Sequence, residues 1–188
     1  MNCCHHILCK SAFWGHRLEH DIIPWVLHGA ALGDDLLEIG SGPGLTTDLL
    51  RSRVARLTAM EIDHGLAATL AQRLAGTNVT VIAQDASVMG LPDACFSGAI
   101  CMTMLHHVPS VGLQNRMFAE VARVLRPGAV FLGCDRIFRS RFDFLHLFDT
   151  KVPVPPDSLH GRLRWAGFEK IEVETRRHDF RFRAWKSA

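Results

Sequence analysis

The sequence contains no apolar run of about 18 residues or more, the length that a membrane-spanning helix needs, so no membrane span is expected. It also lacks a positively charged start followed by a long apolar core, which argues against a secretory signal. Its cysteines are not spaced like those of a secreted disulfide scaffold, since Cys95, Cys101 and Cys134 lie in or beside apolar runs. These absences predict a cytoplasmic protein.

A large excess of charge and an internal repeat are missing as well. The net charge of +2 over 188 residues is too small to predict a nucleic acid or an anionic membrane as partner. The apolar fraction of 48% is ordinary for a globular protein, and no internal period is present. The length predicts a single domain over residues 1–188, acting as a monomer or a homodimer.

Short β-type runs alternate along the chain with longer helical patterns, which is typical of an α/β fold with a parallel sheet covered by helices. The predicted strands are residues 35–39, 56–61, 79–82, 96–103 and 129–134, followed by a closing hairpin of residues 168–175 and 179–186. The predicted helices between them are residues 45–53, 65–74, 114–125 and 157–166, the last with Asp157 as its N-cap.

A glycine-rich stretch, Glu38-Ile39-Gly40-Ser41-Gly42-Pro43-Gly44, follows the first predicted strand. Glycines at this point allow a sharp turn and let a ligand approach backbone N–H groups, which suits a nucleotide-like ligand at the carboxyl edge of a parallel sheet. A dinucleotide-binding loop needs a further glycine at position 45, where Leu45 stands. This spacing disfavours a nicotinamide-dependent oxidoreductase. The carboxylate of Glu38 suits a cationic ligand better than a pyrophosphate.

Acidic residues also follow the next two predicted strands. Glu61 ends the second strand, where a carboxylate can accept hydrogen bonds from two ribose hydroxyls. Asp85 follows the third, where it can accept one from the exocyclic amine of an adenine. Met102, at the end of the fourth strand, is predicted to lie beneath the ligand. The order of these residues predicts a nucleoside-like ligand at this edge of the sheet.

In combination and order, these motifs resemble the class I S-adenosylmethionine (SAM)-dependent methyltransferases. The resemblance is closest to their type 11, ubiquinone-biosynthesis-like branch, which acts on small molecules. It runs from about residue 34 to residue 134 and includes Met60-Glu61-Ile62-Asp63, Gln84-Asp85-Ala86, Leu91-Pro92, Met104-Leu105-His106-His107-Val108 and Leu125-Arg126-Pro127-Gly128-Ala129.

The resemblance implies a Rossmann-like three-layer αβα sandwich. Its sheet would have seven strands, mostly parallel, with an antiparallel last strand. It implies SAM as cofactor, S-adenosylhomocysteine (SAH) as product, and transfer of a methyl group to a small organic acceptor. The implied cofactor-binding residues are Glu38, Gly40, Ser41, Gly42, Glu61, Ile62, Asp85, Ala86 and Met102.

Methyl transfer is an in-line displacement that needs chiefly alignment and a dry cleft, so no metal is required. His106 and His107 lie beside the expected methyl group. One of them, preferably His107, orients the acceptor or takes its proton; the alternative is that both only satisfy backbone groups in a turn before Pro109.

Two other functions compete with a small-molecule methyltransferase: a non-catalytic SAM-binding scaffold or sensor, and a methyltransferase of macromolecules. The stretch Met102-Thr103-Met104-Leu105 stands where an Asn-Pro-Pro-Tyr-like loop would indicate methylation of amino groups on nucleic acid bases. No nucleic acid partner is therefore expected.

The remaining segments give weaker predictions. Residues 1–33 are predicted to form a helical lid, with Phe13 and Trp14 over the cofactor, and residues 136–156 to build the acceptor pocket with apolar residues such as Phe138. The cysteines and histidines of residues 3–9 lack the spacing of a zinc site, so no metal is predicted. The basic residues of the closing hairpin are predicted to protect an edge strand from pairing, namely Arg176, Arg177, Arg181, Arg183 and Lys186.

Overall fold

The computed structural model describes residues 11–138 and 150–188. In these ranges the chain forms a seven-stranded sheet with the spatial order β3-β2-β1-β4-β5-β7-β6. The strands are β1 (Asp35–Ile39), β2 (Arg56–Glu61), β3 (Val79–Ala83), β4 (Phe96–Met102), β5 (Leu125–Arg136), β6 (Phe168–Thr175) and β7 (Asp179–Lys186).

The first five strands are parallel to one another, and β7 pairs antiparallel with both β5 and β6. Strand β4 is buried along nearly its whole length, as its apolar sequence requires of a strand covered on both faces. The predicted α/β fold, with a mostly parallel sheet and an antiparallel last strand, is confirmed.

Helices cover both faces of this sheet. They are α1 (Ala12–Arg17) and α2 (Ile23–Leu27), joined by a π-helical turn (Leu18–Ile22), then α3 (Leu45–Leu50), α4 (His64–Arg73), α5 (Val111–Val124) and α6 (Pro156–Trp165). A short 3₁₀ helix (Leu105–His107) lies between β4 and α5. Adjacent strand residues enter different cores: Leu37 packs with Met117 of α5, whereas Leu36 packs with Ile22 before α2. This alternation produces the three layers.

The basic residues of the closing hairpin have a different role from the predicted one. Strand β7 is not an edge strand, because β5 and β6 pair with it on its two sides. Arg181 donates to the backbone oxygen of Trp25 and to the Glu174 carboxylate, while the Arg176 guanidinium lies 3.9 Å from the centre of the Trp25 ring. These side chains therefore attach the N-terminal helices to the sheet.

The predicted N-cap of the last helix is also wrong. Helix α6 begins at Pro156, and Pro155 is its N-cap, so Asp157 lies inside the first turn. Proline is favoured in the first turn because it has no N–H to leave unpaired, which moves the start one residue earlier. No helix in residues 11–138 or 150–188 is long and apolar enough to cross a membrane.

Candidate functional site

A cavity of about 400 Å³ opens at the carboxyl ends of β1, β2 and β4. Eight of the predicted cofactor-binding and catalytic residues line it, together with Trp14 of the predicted lid and with Leu18, Leu113, Met117 and Thr150 from other parts of the chain. The eight are Gly40, Gly42, Glu61, Ile62, Asp85, Ala86, Met102 and His107. Glu38, Ser41 and His106 are not in the wall.

The glycine loop after β1 is held by the end of β2. The N–H groups of Gly40 and Ser41 both donate to the carbonyl oxygen of Met60, at 2.8 and 3.1 Å. Gly40 has a φ of +75°, and a Cβ there would lie only 2.9 Å from the Cγ of Met104. Position 40 therefore needs glycine both for its backbone conformation and for the space that Met104 occupies.

Glu61 connects this loop to the start of the next helix. Its Oε2 accepts a hydrogen bond from the Gly42 N–H at 2.8 Å, and its Oε1 accepts one from the Asp63 N–H at 3.0 Å. Each carboxylate oxygen can accept more than one bond, so both can still receive ligand hydroxyls. Glu61 thus shapes the loop and presents acceptors to the cavity.

Asp85 and its neighbours form the far side of this wall. The carboxylate of Asp85 accepts a bond from the Ser87 N–H at 2.7 Å, which fixes the turn after β3. Ala86 lines the cavity beside it, and Ile62 lies across at the end of β2 with 63% of its surface exposed. An apolar and an acidic group together suit the faces and edges of a heterocyclic base.

Glu38 lies buried beneath the loop instead of in the wall, with 2% of its surface exposed. Burial raises the pKa of its carboxyl to about 7, although a hydrogen bond donated by the Thr47 hydroxyl at 2.7 Å acts in the opposite direction. The side chain of Ser41 is buried nearby. Both predicted cofactor residues are therefore buried outside the cavity wall.

The two adjacent histidines have different environments. His107 lines the cavity, whereas His106 is buried, with its Nδ1 2.6 Å from the Oδ1 of Asp135. The backbone N–H of His106 donates to Oδ2 of the same carboxylate at 2.9 Å. The two imidazole rings lie against each other with their centres 4.1 Å apart. Asp135 was not predicted as a site residue from the sequence. Its position as a carboxylate at the end of the apolar fifth strand could have indicated it.

The N-terminal segment contributes part of the cavity wall. Trp14 and Leu18 line the cavity, whereas Phe13 is 73% exposed and does not. Phe138 meets the His106 ring edge-on, with centres 5.1 Å apart.

Some predicted residues lie outside the described ranges. They are the other apolar residues of the predicted pocket segment, Phe142, Phe144, Leu145, Leu147 and Phe148, and the Cys3-Cys4-His5-His6 cluster with Cys9. Within the described ranges, no group of three or more metal-ligating side chains occurs.

The sheet order and the cavity at its carboxyl edge define the class: a Rossmann-like α/β domain with a nucleoside-type site. Residues 37–133, just over half of the chain, match the family model described as a methyltransferase domain. The chain therefore belongs to this family, the type 11 class I SAM-dependent methyltransferases, as predicted.

Among curated proteins, the chain is 52% identical over 58 residues to ribosomal RNA small subunit methyltransferase A of Deinococcus radiodurans. That match covers 31% of this chain and 20% of the relative. It is 28% identical over 125 residues to a probable S-adenosylmethionine-dependent methyltransferase of Mycolicibacterium smegmatis, covering 66% of this chain and 46% of the relative. The chain thus matches less than half of either relative's length.

Solved structures share the fold over nearly the whole chain. An S-adenosylmethionine-dependent methyltransferase from Mesorhizobium loti superimposes with a TM-score of 0.72 at 18% identity. The match covers 95% of this chain and 100% of that one. At this identity the likeness is one of fold.

Proposed function

We propose that the protein transfers a methyl group from SAM to a small organic acceptor. One observation carries the proposal: the described residues that line the cavity include three carboxylates, Glu61, Asp63 and Asp85, and no Lys or Arg. A wall with this charge favours a cationic sulfonium ligand and opposes phosphate groups. The residues present therefore fit SAM.

In this proposal, the backbone of Gly40 and Gly42 approaches the amino-acid part of SAM. Glu61 accepts from the ribose hydroxyls, and Asp85 accepts from the adenine amine. When bound, SAM supplies an electrophilic methyl group. The chain's own contribution is to align the acceptor with that methyl group and to exclude water.

The acceptor side of the cavity is mostly apolar, which supports a small organic acceptor. Trp14, Leu18, Leu113 and Met117 line it, and Thr103, His107 and Thr150 supply its polar groups.

We place the protein in the cytoplasm as a monomer or homodimer, on composition alone. The similarity to a ribosomal RNA methyltransferase over 58 residues makes RNA the second acceptor class to test.

Calorimetry with SAH and with NAD tests the cofactor assignment, and we expect binding of SAH only. Glu61→Ala should weaken SAH binding by about 1–3 kcal/mol, because ligand hydroxyls and the Gly42 N–H lose their acceptor. Glu172→Ala, at an exposed position on β6, is the matched control and should leave the affinity unchanged. Unchanged SAH binding in a folded Glu61→Ala protein would contradict the assigned ribose contact.

Methyl transfer is tested with radiolabelled SAM and two acceptor pools, small-molecule extract and RNA. Label in the small-molecule pool supports the proposal, and label in RNA alone overturns the acceptor class. Binding of SAH without transfer to either pool would favour a SAM-binding scaffold.

A further inference from the structure

Two non-glycine residues of the described ranges have a left-handed backbone, Ala94 with a φ of +50° and Thr103 with a φ of +52°. This conformation is costly for any residue with a Cβ and most unusual for a β-branched one. Ala94 is exposed in the loop before β4, whereas Thr103 follows β4 and lines the cavity. Strain of this kind persists only where the surrounding structure enforces it.

Contacts on both sides hold Thr103 in this conformation. Its N–H donates to the carbonyl oxygen of Cys134 on β5 at 2.7 Å, so the β4–β5 pairing continues to this residue. The next residue, Met104, accepts a hydrogen bond from the His107 N–H at 2.9 Å, which begins the 3₁₀ helix. The chain must therefore turn from strand to helix within two residues, Thr103 and Met104.

The turn sends the side chain of Met104 onto the glycine loop. Its Cβ, Cγ and Cε atoms lie 3.0, 2.9 and 3.0 Å from the point that a Cβ on Gly40 would occupy. Gly40 is itself left-handed, and glycine is the residue whose backbone is least restricted. Met104 is therefore a further contact on this loop, beside the hydrogen bonds that its N–H groups donate to Met60 and Glu61.

We propose that Thr103 is a positioning residue: its left-handed turn presses Met104 against Gly40 and so holds the glycine loop ready for its ligand. The strain at residue 103 is retained because a relaxed backbone there would withdraw Met104 from the loop. Only the identity of the ligand as SAM rests on the proposed function.

Amide hydrogen exchange on the ligand-free protein tests the proposal. In Thr103→Pro, whose ring fixes φ at about −65° and so forbids the left-handed turn, the Gly40 and Ser41 amides should exchange faster than in the wild type. Binding of SAH should weaken by roughly 3–10-fold, since the loop is no longer preorganised. Met104→Ala should accelerate the same amides, because it removes the contact directly.

Ala94→Pro is the matched control. It forbids the same left-handed conformation and removes one backbone hydrogen bond, but at an exposed position away from the cavity, so exchange at Gly40 and SAH affinity should both stay at the wild-type level. Thr103→Asn distinguishes the role of the backbone turn from that of the hydroxyl. It removes the hydroxyl but keeps the turn, because asparagine tolerates the left-handed conformation better than other residues with a Cβ. We expect it to restore exchange and affinity to within about twofold of the wild type.

Unchanged exchange at Gly40 and Ser41 in a folded Thr103→Pro protein and in Met104→Ala would overturn the proposal. So would a Thr103→Asn protein as impaired as Thr103→Pro, because the hydroxyl, and not the turn, would then be responsible. If the wild type fails to bind SAH, the proposed function fails, but the exchange measurement still decides the role of Thr103.

Discussion

The two walls of the cavity are built in different ways. The wall that we propose for the cofactor, the cofactor wall, consists of residues at or just after the ends of strands lying side by side, with Gly40 after β1, Glu61 at the end of β2 and Asp85 after β3. The wall that we propose for the acceptor, the acceptor wall, combines Trp14 and Thr150 with His107, which are far apart in the sequence. Strand order alone brings the first set together, whereas the second depends on how helices and loops dock onto the sheet.

The walls also differ in what stabilises them. In the cofactor wall, backbone N–H groups bond to strand ends and to the Glu61 carboxylate. Behind the acceptor wall lies a buried carboxylate–imidazole pair, Asp135 and His106. We therefore expect substitutions behind the acceptor wall to cost stability, and substitutions in the cofactor wall to cost mainly ligand affinity.

The largest expected effect is that of Asp135→Ala. The carboxylate accepts bonds from the His106 ring and backbone and from the Arg136 N–H, so its loss leaves buried donors without an acceptor. Each buried donor left in this way costs about 1–3 kcal/mol of unfolding free energy, and more than one is left here. Denaturant unfolding of the ligand-free protein measures it.

Asp63→Ala is the comparison from the cofactor wall. Asp63 is an exposed N-cap of α4, whose carboxylate accepts from the N–H groups of Gly65 and Leu66. Its loss should cost clearly less stability than the loss of Asp135, because the cap is exposed and water can replace its bonds. Equal losses in the two variants would remove the distinction between the walls.

The next effect concerns pH and comes from beneath the cofactor wall. The pKa of Glu38 is raised from 4.5 to about 7 in the native state, so between these values the native state binds more protons than the unfolded state. Unfolding free energy should therefore fall as the pH rises through this window, by about 3 kcal/mol in total. Below about pH 4.5 Glu38 is protonated in both the native and the unfolded state, so it does not affect how the unfolding free energy changes with pH.

Glu38→Gln removes this titration while keeping an oxygen for the Thr47 hydroxyl. Unfolding free energies at a series of pH values from about 4 to 8 should show a shallower decline than the wild type. The exposed Glu172→Gln protein serves as control and should keep the wild-type slope. Parallel curves for wild type and Glu38→Gln would show that Glu38 is not protonated in the native state.

The difference between the walls also explains what the sequence could predict. Strands β1, β2, β6 and β7 have the predicted bounds, because apolar periodicity and flanking turn residues act locally. Glu61 and Asp85 reach one cavity because consecutive parallel strands end at the same edge. Local patterns therefore account for most of the sheet and for most of the cofactor wall.

Features that depend on distant pairing were missed. The position of β7 between β5 and β6 is set by hydrogen bonds across the sheet, so the role of Arg181 in attaching the N-terminal helices was not foreseen. The pairing of His106 with Asp135 joins residues 29 positions apart. The left-handed backbone of Thr103 contradicts its local preference, and only the tertiary contacts around it impose that conformation.

The smallest expected effect is that of His107→Ala on methyl transfer. In-line transfer requires alignment more than proton removal, and His107 lines the wall with its ring against that of His106. We expect turnover to fall tenfold or less, which is about 1.4 kcal/mol or less, with SAH affinity unchanged. The measurement uses an acceptor identified by the radiolabel assay.

The alternative role, general base, predicts a different result in the same experiment. Loss of a base lowers turnover by about 10²–10⁴-fold, and a histidine base gives a wild-type activity that declines at acid pH as the imidazole becomes protonated. A His107→Ala protein that loses both its turnover and this acid limb would make His107 catalytic. It would also show that the acceptor carries a proton that must leave, which alignment alone does not require. Retention of the acid limb together with a small loss would assign His107 to the shape of the acceptor wall.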